Sequence, residues 1–212
     1  MNNEILDTII KKAIAEDIGD GDHSSLSCIP ESAKGKAQLL IKQDGILAGI
    51  EIAKRVFNII DDSLSFEQFL FDGNEIHTGD RAFIIEGKIH SILQAERLVL
   101  NIMQRMSGIA TVTKMYANKL VGTKAKILDT RKTTPGLRYI EKLAVKIGGG
   151  ENHRMGLFDM IMLKDNHGTQ ILSFPSSSTY VSKCSWKHHE GCGKGAQCRW
   201  LLCQSRSGVS EL

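Results

Sequence analysis

No apolar run in the 212-residue chain approaches the roughly 18 residues that a membrane-spanning helix needs. The N-terminal stretch MNNEILDTIIKKAIAEDIGDGD lacks both the uncharged apolar centre and the small-residue cleavage site of a secretory signal. Cysteine is scarce: the five present are odd in number and irregularly spaced, which argues against a disulfide framework and fits a reducing compartment. These absences point to a cytoplasmic protein with no membrane association. Nucleotide-loop spacing is missing as well. KIGGGENHR, residues 146–154, matches neither GxxxxGK(S/T) nor GxGxxG, so its glycines read as a flexible turn that aims His153 and Arg154.

What is present is ordinary for a globular chain of one large or two small domains: 42% hydrophobic and 24% charged residues. The net charge of +3 is unevenly placed. Residues 1–167 carry 22 basic and 22 acidic side chains, whereas residues 168–212 carry five basic and two acidic. Within the balanced part, residues 123–146 still hold seven Lys or Arg against Asp129 and Glu141. A basic patch inside a neutral body suits a small anion better than a long polyanion. A nucleic-acid-binding module is the alternative outside the enzyme class, but Tyr139 is the one aromatic in the patch and no recognition motif accompanies it.

Residues 4–18 place Ile5, Leu6, Ile9, Ile10, Ala13 and Ile14 at helical spacing, and DIGDGD stops that helix. GKAQLLIKQDGILAGI reads as two short strands turning at Asp44–Gly45, EIAKRVFNIID as a helix, and SFEQFLF and RAFIIEGKIHSIL as further strands. From about Ala95 a long helical stretch runs through Gly108. After it come strand AKILDT, helix PGLRYIEKLAVKI, a GGG break and strand FDMIMLKD, a βαβ unit with a parallel pair. Ligands gather at the carboxyl ends of such strands. Those ends carry Arg131 and Lys132 in one case, and Lys164, Asp165, Asn166 and His167 in the other.

An anion pocket follows from this placement. Arginine offers paired donors to a carboxylate or phosphate, and lysine a point charge. Arg131, Lys132, His153, Arg154 and Lys164 recur at one rim of the sheet, which solvated surface charges would not be expected to do. Two metal readings compete elsewhere. Glu16, Asp17, Asp20, Asp22 and His23 fall short of an EF-hand spacing and read as a capped turn. Among the tail residues Cys184, His188, His189, Cys192, Cys198 and Cys203, Cys198 and Cys203 alone come near the C-x₂₋₄-C spacing of zinc ligands, which is a weak signal for a zinc site.

DTRKTTPGLR, GGGENHR, LKDNH and ERLVLNIMQRMSGIAT, together with EDIGDGDHSS and DGILAG, resemble the quinolinate phosphoribosyltransferase family over residues 1 to about 167. The resemblance implies an α/β protein with an α+β N-terminal domain, residues 1–110 including the long connecting helix. Residues 111–167 would start an α/β barrel that is incomplete, and 168–212 form an atypical tail outside the family fold. The implied reaction joins quinolinate and phosphoribosyl pyrophosphate, with Mg²⁺, into nicotinate mononucleotide, pyrophosphate and CO₂ in de novo NAD biosynthesis. A phosphoribosyltransferase acting on nicotinate is the alternative within the enzyme class. By resemblance Arg131 and Arg154 clamp the quinolinate carboxylates and Thr130 orients the strand end. Lys132, His153 and Lys164 complete the positive pocket, with Lys132 and Lys164 as the catalytic lysines acting by electrostatics. Arg97 is similar to the arginine the family supplies from a neighbouring subunit, which implies a homodimer. No Mg²⁺ ligand is identifiable in the sequence.

A whole barrel of this kind takes about 250 residues, with on the order of 30 per strand-helix unit. Lys124 to Leu212 is 89 residues, in which two strands are legible. The tail holds nine serines, four of the five cysteines and both tryptophans, with no helix or strand period. This shift resembles a frameshifted or misjoined end, and weak or absent turnover with residual quinolinate affinity is the corresponding expectation. Resequencing the coding region is expected to show a change of frame near residue 168; a clean in-frame read overturns that expectation.

Overall fold

The computed structural model describes residues 3–162 and the backbone of residues 201–203. Helix α1 (Asn3–Ile18) buries Leu6 and Ile10 and ends where Gly19 takes the left-handed conformation, its N–H donating to the Ala15 carbonyl at 3.2 Å. A second, short helix where the sequence suggests a capped turn, α2 (His23–Cys28), begins at Asp22, whose carboxylate accepts from the Ser25 N–H at 3.1 Å.

Strands β1 (Lys34–Leu40), β3 (Ser65–Gln68) and β5 (Arg81–Lys88) form an antiparallel sheet in the order β1-β5-β3. The central strand must be apolar on more than one face, and Ala82 to Ile85 are all buried. Phe66 and Phe83 stack with centroids 4.6 Å apart, and Phe57 of helix α3 (Ile50–Ile60) meets each at 6.0 Å. Strands β2 (Gly45–Ile46) and β4 (Glu75–Ile76) form a separate pair. The two strands flanking Asp44 therefore belong to different sheets and make no hairpin with each other. Asp44 instead accepts from the Thr78 N–H at 2.8 Å, tying the connection to the segment after β4.

Helix α4 (Ile89–Lys119) is the spine. It begins six residues before the expected Ala95, because the ladder of β5 with β1 ends at Lys88 and Ile92, Ala95 and Val99 already turn one helical face into the core. Met103 and Met106 lie in the same core as α3, while Ala110 shares it with Ile140 and Ala144 of helix α5 (Arg138–Ile147). One continuous helix thus packs the α+β part on one end and the start of the α/β part on the other.

The expected βαβ unit is only partly formed. Strand β6 (Lys126–Leu128) precedes α5, but the chain over residues 158–162 of the proposed second strand is bend and coil, and residues 163–165 lie outside the described residues. The reason is local. Asp159 accepts from the Met155 N–H at 2.6 Å and the Gly156 N–H at 2.8 Å, and Arg154 Nη1 donates to the Met160 carbonyl at 3.0 Å, which folds the chain back as a loop. Among the described residues parallel pairing is limited to one bridge, Leu128 with Glu151. β6 also pairs antiparallel with β7 (Leu201–Cys203), a three-residue strand in the tail where the sequence showed no period. An unpaired edge presents backbone donors and acceptors to any extended segment, which is the physical reason such pairing needs little sequence signal.

The GGG break is a close-packed turn. A Cβ on Gly148 would meet the Ala110 carbonyl at 2.4 Å and Thr113 Cβ at 2.6 Å, and one on Gly150 would meet Val145 Cγ1 at 2.7 Å. The end of α5 therefore seats directly on α4. Gly148→Ala should cost about 1–3 kcal/mol through that clash, whereas Gly108→Ala, at an exposed helical position with open space, should gain roughly 0.5–1 kcal/mol. Urea denaturation midpoints of the two variants should move in opposite directions.

Candidate functional site

Strand β6 delivers Asp129, Thr130 and Arg131 to its carboxyl end. The Asp129 N–H donates to the Glu151 carbonyl at 3.1 Å and the Glu151 N–H to the Ile127 carbonyl at 2.8 Å, so the chain after the glycines is drawn alongside the end of the strand. Residues 152–154 thereby come to lie beside 129–131.

At the centre is a buried ion pair. Lys142, on α5, and Asp129 are hydrogen-bonded, with their side chains 1% and 5% exposed. Both also hold the backbone of His153: Asp129 Oδ1 accepts from the His153 N–H at 2.8 Å, and Lys142 Nζ donates to the His153 carbonyl at 2.9 Å. The Asn152 amide, oriented with its nitrogen inward, donates to Asp129 Oδ2 and to the Lys142 carbonyl, both at 2.9 Å. Burial pushes the Asp129 carboxyl above its ordinary range, against the hydrogen bonds from Lys142 and His153 that pull it down. The His153 imidazole is held below its ordinary value, first by burial and then by the charges of Lys142 and Arg154.

Around this pair stand the cations. Arg154 is buried, with Nη1 on the Met160 carbonyl. Arg131 is half-buried, and its Nε is a buried donor with no acceptor among the described residues. Buried donors are almost always satisfied in folded proteins, so this one marks where an acceptor belongs. Thr130 Oγ1 accepts from the Lys132 N–H at 3.0 Å, which orients the strand end, and Lys132 itself is exposed.

The fold thus gathers Thr130, Arg131, Lys132, His153 and Arg154 around one strand end. It does not bring Arg97 to them: that residue is exposed on α4, eight positions or about 12 Å of helix rise before Arg105, the α4 residue that reaches the turn. Lys164 lies outside the described residues. Arg138, which the sequence suggests as a surface or partner-facing charge, is instead an internal clamp. Its Nε donates to Thr133 Oγ1 at 3.1 Å, Nη1 to the Met155 carbonyl at 3.1 Å and Nη2 to the Arg131 carbonyl at 3.5 Å.

Sequence reasoning missed Asp129, Lys142 and Asn152, and also the link from Arg105 to Glu141, whose Nε–Oε1 distance is 2.8 Å. Arg105 Nη2 also reaches Thr134 Oγ1 at 2.5 Å, fastening the turn to α4. The available signal was a lysine on the same helical stripe as Val145 and an acid directly after an apolar strand. Their pairing spans thirteen positions and follows no local pattern. A cleft of about 240 Å³ lies at the opposite, amino end of β6, lined by Leu120, Val121, Lys126, Ile127, Gly149 and Glu151. None of the gathered cations lines it, and strand carboxyl ends are where such folds bind ligands.

No group of three His, Cys, Asp or Glu among the described residues could hold a metal ion. The carboxylates of Asp129 and Glu141 are engaged by Lys142 and Arg105, and that of Asp159 accepts from the Met155 and Gly156 N–H groups. Among the described residues these do not fit a Mg²⁺ site. Among the described residues no helix is long and apolar enough to cross a membrane.

Two family models match in sequence order. The N-terminal domain of quinolinate phosphoribosyl transferase covers residues 22–107 and its C-terminal domain residues 109–189. A tobacco (Nicotiana tabacum) protein named quinolinate phosphoribosyltransferase (decarboxylating) 1b is 52% identical over 160 residues, which are 75% of this chain and 45% of that protein. A probable nicotinate-nucleotide pyrophosphorylase (carboxylating) of Bacillus subtilis is 44% identical over 167 residues, 79% of this chain and 57% of that one. In three dimensions the fold matches NadC from Streptococcus pyogenes with a TM-score of 0.77 at 40% identity, covering 80% of this chain and 60% of that structure. The chain thus spans about half the length of the curated relatives it matches.

The depressed His153 value has a sign that can be measured. The folded state keeps the imidazole neutral, so its contribution to stability is present above the unfolded value of about 6.5 and is lost as pH falls below it. The urea midpoint should drop between pH 7.5 and pH 5, and His153→Asn should flatten that drop; equal slopes for the two proteins would contradict the assignment.

Proposed function

The chain belongs to the quinolinate phosphoribosyltransferase family, and from that premise we propose that the cations around the end of β6 bind the two carboxylates of quinolinate for transfer of a phosphoribosyl group to its ring nitrogen. The observation that carries the reading is the buried Nε of Arg131, which has no acceptor among the described residues, at a strand end alongside which the backbone leading to the buried Arg154 runs. Two guanidinium groups suit two carboxylates, because each can donate a pair of parallel hydrogen bonds.

The chemistry accounts for the charge. Quinolinate is a dianion and phosphoribosyl pyrophosphate is more anionic still, so fixed cations offset the repulsion of bringing them together. The ring nitrogen attacks the anomeric carbon of the ribose as the bond to pyrophosphate breaks. The pyridinium so formed accepts the electron pair of the adjacent C–C bond when CO₂ leaves, and a proton then replaces the carboxylate at that carbon. No covalent nucleophile on the protein is needed. Lys132 and Lys164 are the lysines assigned to charge stabilisation, Thr130 and His153 complete the pocket, and Arg97 would serve the site of a second copy in a homodimer. A cytoplasmic location belongs to the same reading and is supported by the irregular cysteine content.

Calorimetric titration of the full chain with quinolinate and with nicotinate tests the reading, alongside an assay for nicotinate mononucleotide that reads the transfer step separately. Quinolinate should bind at least about tenfold more tightly than nicotinate, since one carboxylate contact with a guanidinium is worth roughly 1.5–3 kcal/mol. Arg131→Lys, which keeps the charge and loses the paired donors, should remove most of that preference. Equal affinity for the two acids would favour the nicotinate-type alternative.

A further inference from the structure

Residues 153–155 are held from both sides in a way that the anion pocket by itself does not require. The N–H and the carbonyl of His153 are taken by Asp129 and Lys142 respectively. Two residues on, the Met155 N–H is taken by Asp159 and its carbonyl by Arg138. Arg154 lies between these anchors, so the direction of its side chain follows from where they stand. Asn152 braces the same pair from the other flank, donating to Asp129 and to the Lys142 backbone.

We propose that Asp129 and Lys142 form one positioning unit, which sets the direction of Arg154 and His153 for the dicarboxylate without either member touching it. The inference rests on the dicarboxylate reading of the site and extends it to residues behind the pocket. Both groups are buried and taken up internally, the carboxylate by Lys142, His153 and Asn152 and the ammonium by Asp129 and the His153 carbonyl. Their charges cancel, so the net positive field of the pocket comes from Arg131, Lys132 and Arg154. Stability alone does not require such a pair either, because well-packed apolar residues of similar volume are often at least as stabilising as a buried ion pair. What apolar residues cannot supply is an acceptor for the His153 N–H together with a donor for its carbonyl.

The test uses the full chain and two variants: Lys142→Met, which strands the Asp129 charge, and the double variant Asp129→Leu with Lys142→Met, which removes both charges. Three quantities are read: cooperative unfolding, amide hydrogen exchange at His153 against that at Ala144 and Val145 in α5, and quinolinate affinity by calorimetry. The double variant should unfold cooperatively and keep helix protection, while exchange at His153 accelerates and quinolinate binding weakens, each by roughly tenfold or more, the scale of a misplaced binding group. Loss of cooperative unfolding in both variants would assign the pair a purely structural role and overturn the proposal. So would unchanged exchange at His153, or unchanged quinolinate affinity in a folded variant. If the unmodified chain does not bind quinolinate, the dicarboxylate reading fails first, and the positioning of His153 is still decided by the exchange comparison.

Discussion

The organisation of this site depends on one buried contact, the ion pair of Asp129 and Lys142. It joins the end of β6, the middle of α5 and the loop after the glycine turn, three segments that Arg138 and Asn152 tie together as well. Taking both charges out of water is costly, and breaking such a pair by deleting one partner leaves a buried charge at a penalty of about 3–5 kcal/mol. The pair is tolerated because its groups find partners: the carboxylate accepts from Lys142, His153 and Asn152, and the ammonium also donates to the His153 carbonyl. Such satisfaction gives a buried polar group one permitted arrangement, and that rigidity is inherited by the neighbouring cations.

The pair could not form unless α5 were seated against α4 at the right depth. Glycines at 148 and 150 allow that approach, since a Cβ at either position would run into Ala110, Thr113 or Val145. Arg105 then fastens α4 to Glu141 and to Thr134 in the turn before α5. Because α4 also carries the core of the α+β part through Val99, Met103 and Met106, the position of the pocket is referenced to the hydrophobic core. Surface ion pairs such as Lys126 with Glu151 add little to this, being more than half exposed on both sides and open to screening.

Much of the fold was legible in the linear pattern. Helices α1, α3, α4 and α5 announce themselves by apolar spacing, and β3 and β5 by apolar or alternating runs, because those periods are set by the backbone itself. The failures have specific causes. The apolar run RAFIIEGKIHSIL reads as strand beyond the start of α4 because Ile89, Ile92 and Leu93 suit either element, and only the end of the β1 ladder at Lys88 decides between them. FDMIMLKD has the composition of a buried strand, yet capping by Asp159 and the bond from Arg154 to Met160 turn its first residues into a loop. Arg138 read as a free charge because its three acceptors, on Thr133, Met155 and Arg131, come from segments on both sides of it in sequence.

The sequence by itself determined the family and the kinds of group in the site, since DTRKTTPGLR, GGGENHR and ERLVLN carry the family's residue types in order, and a run of cations at a strand end has few uses other than an anion. Only the tertiary structure decided which charges are available to that anion and which are consumed internally. Arg131 has a buried donor without an acceptor among the described residues, while Arg138, Lys142 and Arg105 have theirs met by groups 5 to 36 positions away. The physical reason is that a charge's role depends on its solvation and its neighbours, and both are set by long-range packing that no local pattern encodes.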